Sequence, residues 1–112
     1  MQLAEMRALL SAWGAERPLV SRLWLFGSRV RGDHRPDSDV DVAIELDMSA
    51  AKGVDESGGI ATWAFDTTPW KPELEGLLSL VVDLQRYKVG ETNVIQAGLD
   101  RSSILVYEKQ KR

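Results

Sequence analysis

Residues 20–46 read VSRLWLFGSRVRGDHRPDSDVDVAIEL, and this stretch decides the fold. It begins with an apolar run over residues 20–26 that is rich in β-forming residues and typical of a largely buried strand. It ends with DVDVAIEL over residues 39–46, where an aliphatic side chain stands at every second position. Gly-Ser at 27–28 and HRPDS at 34–38 are turn sequences. The stretch therefore predicts two neighbouring strands joined by a loop with a short helical turn over residues 29–32.

Shorter patterns on both sides complete the fold prediction. Apolar residues at helical spacing predict a first helix that ends at Gly14, a favourable residue just after a helix (Leu3, Met6, Leu9, Leu10 and Trp13). Residues 47–59 predict a flexible connection. Further helices are predicted over residues 59–66, from Pro69 or Pro72 to residue 78, and over residues 92–99 with Thr92 as the cap; further strands are predicted over residues 80–84 and 104–107. This order predicts a single domain over residues 1–112 of the α+β class (an α/β two-layer arrangement), with a mixed β-sheet and helices packed on one face.

The composition limits the chemistry available to the chain. Its 112 residues suffice for one domain and include no cysteine and one histidine. Disulfides, thiolate catalysis and cysteine zinc sites are excluded, and histidine triads nearly so, which leaves carboxylates, hydroxyls, amines and the backbone. The formal net charge of −3 gives no general attraction to nucleic acid or anionic membranes. No apolar run is long enough to span a membrane and the N-terminus does not resemble a signal peptide, so a cytoplasmic location is expected.

Three acidic residues are the strongest functional candidates. Asp39 and Asp41 stand at positions i and i+2 of a predicted strand, which places both side chains on one face, roughly 6.6 Å apart. Such a pair can converge on a hard divalent cation, although the commoner arrangement is a solvated pair on the polar face of an edge strand. The apolar run before it favours a central strand instead. Asp83 is the charged residue within the apolar run LVVDL, where an acid is costly unless it has a function.

These residues together resemble the motif of a known family. Gly27-Ser28 is followed by ten residues, 29–38, and then by Asp39-Val40-Asp41; the fuller form spans Gly27–Gly32 and Ser38–Asp41, with a third acid at Asp83. This pattern is similar to that of the nucleotidyltransferase superfamily of the DNA polymerase β type, and most similar to its minimal nucleotidyltransferase (MNT) branch. The resemblance is close over residues 20–46 and loose over residues 78–107, while residues 47–77 carry no matching motif.

The resemblance implies a two-metal site at the three acids. Asp39 and Asp41 would bridge two Mg²⁺ ions, and Asp83 would bind only the catalytic ion and help to align or deprotonate the attacking hydroxyl. All three are therefore both catalytic and metal-binding candidates. A pair of ions of this kind stabilises the attacking and leaving oxygens of an in-line displacement.

The resemblance also implies a nucleotide site beside the acids. The turn at Gly27-Ser28 would hold the β- and γ-phosphates of a nucleoside triphosphate, with ATP expected as the substrate. Arg29 and Arg31 stand next to the turn and can neutralise phosphate charge, although each can also be a solvated surface residue. The nucleotide-binding candidates are Gly27, Ser28, Arg29 and Ser38.

The same resemblance suggests a partner. Family members of this length resemble antitoxins that transfer AMP from ATP to a hydroxyl of an all-helical HEPN-type toxin. The expected function is therefore protein adenylylation, with an acceptor that is the partner protein or binds to a homodimer, and the acidic balance disfavours RNA in this role. The alternatives are an antitoxin that acts by contact alone and a nucleotide-sensing module without turnover.

Overall fold

The computed structural model describes residues 1–110, which form a sheet with helices packed against it. The strands of the sheet stand in the order β3-β2-β1-β4. β1 is antiparallel to both β2 and β4, and β2 is parallel to β3. The mixed sheet is as predicted, and the motif-bearing strands β1 and β2 are central rather than at an edge. The bounds are β1 Val20–Phe26, β2 Val40–Leu46, β3 Val82–Tyr87 and β4 Ser103–Glu108.

The helices lie near their predicted places along the chain. None of them within residues 1–110 is long and apolar enough to cross a lipid bilayer. The long connection from β2 to β3, which a parallel pair requires, carries a short 3₁₀ turn at Met48–Ala50 and two of the helices. The helices are α1 Leu3–Ala15, α2 Ser28–Arg31, α3 Ile60–Asp66, α4 Trp70–Leu78 and α5 Asn93–Arg101.

The two faces of the sheet carry different side chains. A smaller apolar cluster on one face consists of Ala43, Tyr87 and Leu99, and Leu99 belongs to α5. Because side chains alternate along a strand, Asp41 points to the same face as Ala43. The acid therefore lies on the α5 side of the sheet, away from the main core. That core lies on the opposite face, packed against α1 and α4, and its fully buried members include Leu10, Leu25, Val42, Leu74 and Val82.

The first helix does not end at Gly14, as the sequence suggested. It continues to Ala15, and Gly14 is a buried residue of its last turn. A Cβ at this position would lie 2.9 Å from Cδ2 of Tyr107, closer than side chains pack. The glycine therefore allows the ring of a β4 residue to approach the helix, and this long-range contact explains a residue that looked like a local stop signal.

Two further local predictions need correction. The third strand runs from Val82 to Tyr87 instead of over residues 80–84, because its pairing with β2 starts at Val40 and Val82 and continues through Gln85 to Tyr87. Thr92 precedes α5 as predicted, but its hydroxyl does not cap the helix. Instead the hydroxyl accepts a hydrogen bond from the backbone N–H of Lys88 at 3.0 Å.

The connection over residues 47–59 is held by side chains rather than left loose. Asp47 accepts a hydrogen bond from the backbone N–H of Ser49 at 3.0 Å, at the start of the 3₁₀ turn. Asp55 accepts one from the backbone N–H of Thr62 at 2.9 Å, in the first turns of α3. These two aspartates give the segment local order, which its glycine and serine content did not indicate.

Candidate active site

The turn after β1 brings the backbone against an acidic side chain. β1 ends at Phe26, Gly27 follows with a positive φ of 81°, and α2 starts at Ser28. Phe26 pairs with Asp41 across the sheet, so the turn lies beside that residue. A Cβ on Gly27 would overlap the Oδ2 atom of Asp41. Glycine is therefore required here for two reasons: the backbone has a positive φ, and the carboxyl group of Asp41 leaves no room for a Cβ.

Two of the predicted acids meet on neighbouring strands. Asp41 on β2 and Asp83 on β3 are direct partners in the parallel ladder, so their side chains leave the sheet side by side. Both are half-buried, and their carboxyl groups are close enough to hydrogen-bond. The side chain of Gln85, two residues further along β3, donates a hydrogen bond to Oδ1 of Asp83 at 2.7 Å. Asp39 is exposed and precedes the first residue of β2.

The electrostatics of this cluster centre on Asp41. Burial raises the pKa of the Asp41 carboxyl above its ordinary value, and the negative charges of Asp83 and Asp39 raise it further. The hydrogen bond with Asp83 acts in the same direction, and the positive charge of Arg31 acts against them. Both neighbouring acids therefore act on Asp41, and a cation bound beside Asp41 would offset this repulsion.

The donor set fits a divalent cation that shares its ligands with a substrate. Among residues 1–110, no three histidine, cysteine, aspartate or glutamate side chains are close enough to hold an ion by themselves. Mg²⁺ is usually bound by one or two carboxylates together with water and phosphate oxygens. The neighbouring carboxyl groups of Asp41 and Asp83 supply that number of protein ligands and leave positions for a triphosphate.

The two arginines next to the turn have different surroundings. Arg29 is 9% exposed, and its guanidinium donates to the backbone carbonyl of Ser38 from Nη2 at 2.8 Å and from Nε at 3.2 Å. Arg31 forms an ion pair with Asp33 at 3.1 Å and donates to the hydroxyl of Ser102 at 3.1 Å. Arg31 is thus the arginine whose charge acts on Asp41, whereas Arg29 is engaged with the backbone of the following loop.

The structure places the predicted nucleotide residues in two groups. Gly27 and Ser28 form the turn beside the acids, whereas Ser38 lies in the loop before β2, where its hydroxyl accepts a hydrogen bond from the backbone N–H of Arg35 at 2.8 Å. Arg29 joins the two groups through its bonds to Ser38. Nucleotide binding by each of these residues remains a prediction.

Sequence reasoning missed two residues that support the site. Gln85 contacts Asp83, and its place two positions along the same strand could have indicated a shared face. The hydroxyl of Ser102 accepts a hydrogen bond from Arg31, and the carbonyl of Ser102 accepts one from the N–H of Gly27 at 3.2 Å. No local signal marks Ser102, because it is far from the turn in sequence and reaches it only through the pairing of β1 with β4.

Comparison with known protein families agrees with this geometry. The family model of the nucleotidyltransferase domain matches residues 6–102, which is most of the chain. A search of curated proteins gave no match.

Solved structures share the fold. A chain from a toxin–antitoxin complex crystallised with AMP-PNP is 23% identical, with a TM-score of 0.60, over 96% of this chain and 76% of that one. A complex of a tri-AMPylated HEPN toxin from Shewanella oneidensis with its MNT antitoxin gives 21% identity and a TM-score of 0.56, over 98% and 75% of the two chains. A chain of the MntA–HepT toxin–antitoxin complex is 20% identical, with a TM-score of 0.55, over 97% of this chain and 74% of that one. At these identities the similarity shows the fold alone.

Proposed function

Because the chain belongs to the nucleotidyltransferase domain family, we propose that it transfers AMP from ATP to a hydroxyl group of a partner protein. The observation that carries this proposal is the position of Asp41 and Asp83 as direct partners on adjacent parallel strands. The glycine turn lies directly against Asp41, so a phosphate chain on the turn would also reach the acids. The spacing from Gly27-Ser28 to Asp39 and Asp41 matches the family motif.

Each acid has a separate part in the proposed reaction. Asp39 and Asp41 would hold two Mg²⁺ ions together with the triphosphate, and Asp83 would share the ion nearer the acceptor. Bound divalent ions supply positive charge that polarises the phosphate and the acceptor hydroxyl. Gln85 fixes the orientation of the Asp83 carboxyl group through its hydrogen bond to Oδ1. Arg31 adds positive charge beside Asp41, where the triphosphate would lie.

The transfer itself exchanges one phosphorus–oxygen bond for another. The acceptor oxygen bonds to the α-phosphorus, while the bond from that phosphorus to the oxygen shared with the β-phosphate breaks and pyrophosphate leaves. The proton of the acceptor hydroxyl passes to the carboxylate of Asp83 or to solvent. Asp83 suits this role because it lies on the edge strand β3, beside the central strand that carries Asp41.

The proposed partner is an all-helical HEPN-type toxin, and the chain would act as its antitoxin. Support comes from the similar solved structures, which are toxin–antitoxin complexes, one with AMP-PNP and one with a tri-AMPylated HEPN toxin. The adenylylated residue of the acceptor would carry a hydroxyl group, as the chemistry of the transfer requires.

Mass spectrometry of the partner tests this proposal. The chain is incubated with the proposed partner, an all-helical HEPN-type protein, together with ATP and Mg²⁺, and the intact mass of that protein is measured. We expect mass increments of one or more AMP groups with the wild type and none with Asp41→Asn, while Asp37→Asn, an exposed change outside the acid cluster, behaves as the wild type. A stable complex that never acquires AMP would overturn the enzymatic proposal and favour an antitoxin that acts by contact.

A further inference from the structure

Arg29 occupies an unusual place for a residue next to a phosphate-binding turn. It is the second residue of α2, immediately after Gly27-Ser28, yet its side chain is buried and 9% exposed. Its guanidinium donates hydrogen bonds to backbone carbonyls: Nε and Nη2 both donate to Ser38, at 3.2 and 2.8 Å, and Nη2 also donates to the carbonyl of Pro36 at 3.4 Å. The guanidinium therefore joins the turn to the end of the loop that precedes β2.

The carbonyl of Ser38 belongs to the peptide bond that leads into Asp39. On the other side of Asp39, the N–H of Val40 donates to the carbonyl of Val81 at 2.8 Å, in the bond that ties the start of β2 to the segment before β3. Asp39 lies between these two anchors, is exposed, and precedes the regular strand. Its backbone is held on one side by the sheet and on the other by Arg29.

We infer that Arg29 is a positioning residue: its guanidinium fixes the Ser38–Asp39 peptide and thereby holds the Asp39 carboxylate beside Asp41, instead of binding the triphosphate. The inference rests on the proposed function only where it concerns metal binding. Arginine suits the task because its planar fork directs two N–H groups at one carbonyl oxygen, whereas lysine offers a single ammonium group. The role links the phosphate turn and the first acid of the motif through one side chain.

The positioning role and a purely electrostatic role predict opposite effects on metal affinity. Removing a positive charge near a cation site strengthens cation binding if charge alone matters. Removing a positioning side chain weakens cation binding, since partners that orient metal ligands typically account for 10–100-fold in affinity. Arg29→Gln should therefore lower the affinity for Mn²⁺ by about tenfold in the absence of nucleotide. Arg31→Gln is the matched control, and it should raise the affinity, because Arg31 acts on Asp41 through its charge.

Hydrogen exchange of the backbone tests, without any ligand, whether Arg29 holds the Ser38–Asp39 peptide in place. In Arg29→Gln we expect faster exchange of the amides of residues 33–40, including the N–H of Ser38, with the amides of β1 and β4 unchanged. Arg29→Lys keeps the charge and one donor, so it should show a smaller increase and a partial recovery of Mn²⁺ affinity. This second variant also keeps the test decisive if Arg29→Gln fails to fold.

Two results would overturn the inference: unchanged exchange over residues 33–40 in both Arg29 variants, or Mn²⁺ binding that strengthens in Arg29→Gln as it does in Arg31→Gln. If the wild type itself binds no Mn²⁺ with or without ATP, the proposed function fails. The exchange measurement then still decides whether Arg29 holds the peptide before Asp39.

Discussion

Replacing Asp41 with asparagine should make the metal-free protein more stable, although the change removes a residue of the candidate site. The carboxyl group is half-buried, and burial together with the charges of Asp83 and Asp39 raises its pKa. The ionised form of the Asp41 carboxyl group is therefore disfavoured in the folded protein. Asparagine removes the repulsion and can donate a hydrogen bond to Asp83.

The size of this effect follows from the contact between the two carboxyl groups. Two unit charges about 4 Å apart repel by about 1 kcal/mol in bulk water and about 4 kcal/mol at the effective dielectric constant of a protein surface. Because the Asp41 site is partly open, solvent screening brings the expected gain to about 1–2 kcal/mol. For a chain of this length, about 1 kcal/mol corresponds to roughly 4 °C in Tm, so the variant should melt about 4–8 °C higher.

The pH dependence has a definite sign. A raised carboxyl pKa means that the folded state binds the proton more tightly than the unfolded state, so the wild type loses stability as pH rises from the ordinary carboxyl pKa through the folded value. The advantage of Asp41→Asn should therefore grow as pH rises above the ordinary carboxyl pKa and vanish well below it, where Asp41 carries its proton in both states.

Thermal unfolding with EDTA, followed by circular dichroism, measures this difference. Asp37→Asn makes the same chemical change at an exposed position of the loop, and its effect should stay within about 0.5 kcal/mol. Adding Mg²⁺ should raise the Tm of the wild type and reduce the gap to Asp41→Asn. A metal-free Asp41→Asn protein that melts at or below the Asp37→Asn control at pH 7 would refute the reasoning.

Two other substitutions test the turn and the third acid. Gly27→Ala should destabilise the fold by about 2 kcal/mol in chemical denaturation, because the residue has a positive φ and its new Cβ would displace the carboxyl group of Asp41; an unchanged midpoint would contradict the close approach. Asp83→Asn should leave ATP affinity in calorimetry within a few-fold of the wild type but abolish AMP transfer, since the triphosphate would keep its ion on Asp39 and Asp41. Transfer at near the wild-type rate would remove Asp83 from the site.

The sequence was sufficient to predict the central part of the fold and to single out Asp41 and Asp83, which the fold places side by side. The alternation over residues 39–46 indicates a strand with one buried face, and the apolar run over residues 20–26 indicates a strand that is largely buried. The structure has a strand in each of these places. The glycine at position 27 was predictable for a related reason, since a tight turn against another backbone or side chain excludes a Cβ.

The parts that could not be predicted depend on contacts between distant residues. Gly14 looked like the end of a helix, but its reason is the ring of Tyr107 on β4. The direction of the Arg29 side chain could not be predicted from the sequence either, because an arginine beside a turn can reach either a phosphate or a backbone carbonyl. Only the folded loop shows that the carbonyl of Ser38 lies within its reach.

The position of the label in ATP tests the central claim, nucleotidyl transfer by the acid cluster, most directly. The chain and the proposed helical partner are incubated with Mg²⁺ and ATP that carries the label on either the α- or the γ-phosphate. We expect the partner to acquire label from α-labelled ATP only, in a reaction that EDTA and Asp41→Asn abolish and Asp37→Asn does not affect. Label from γ-labelled ATP, or α-label that Asp41→Asn leaves unchanged, would contradict the account.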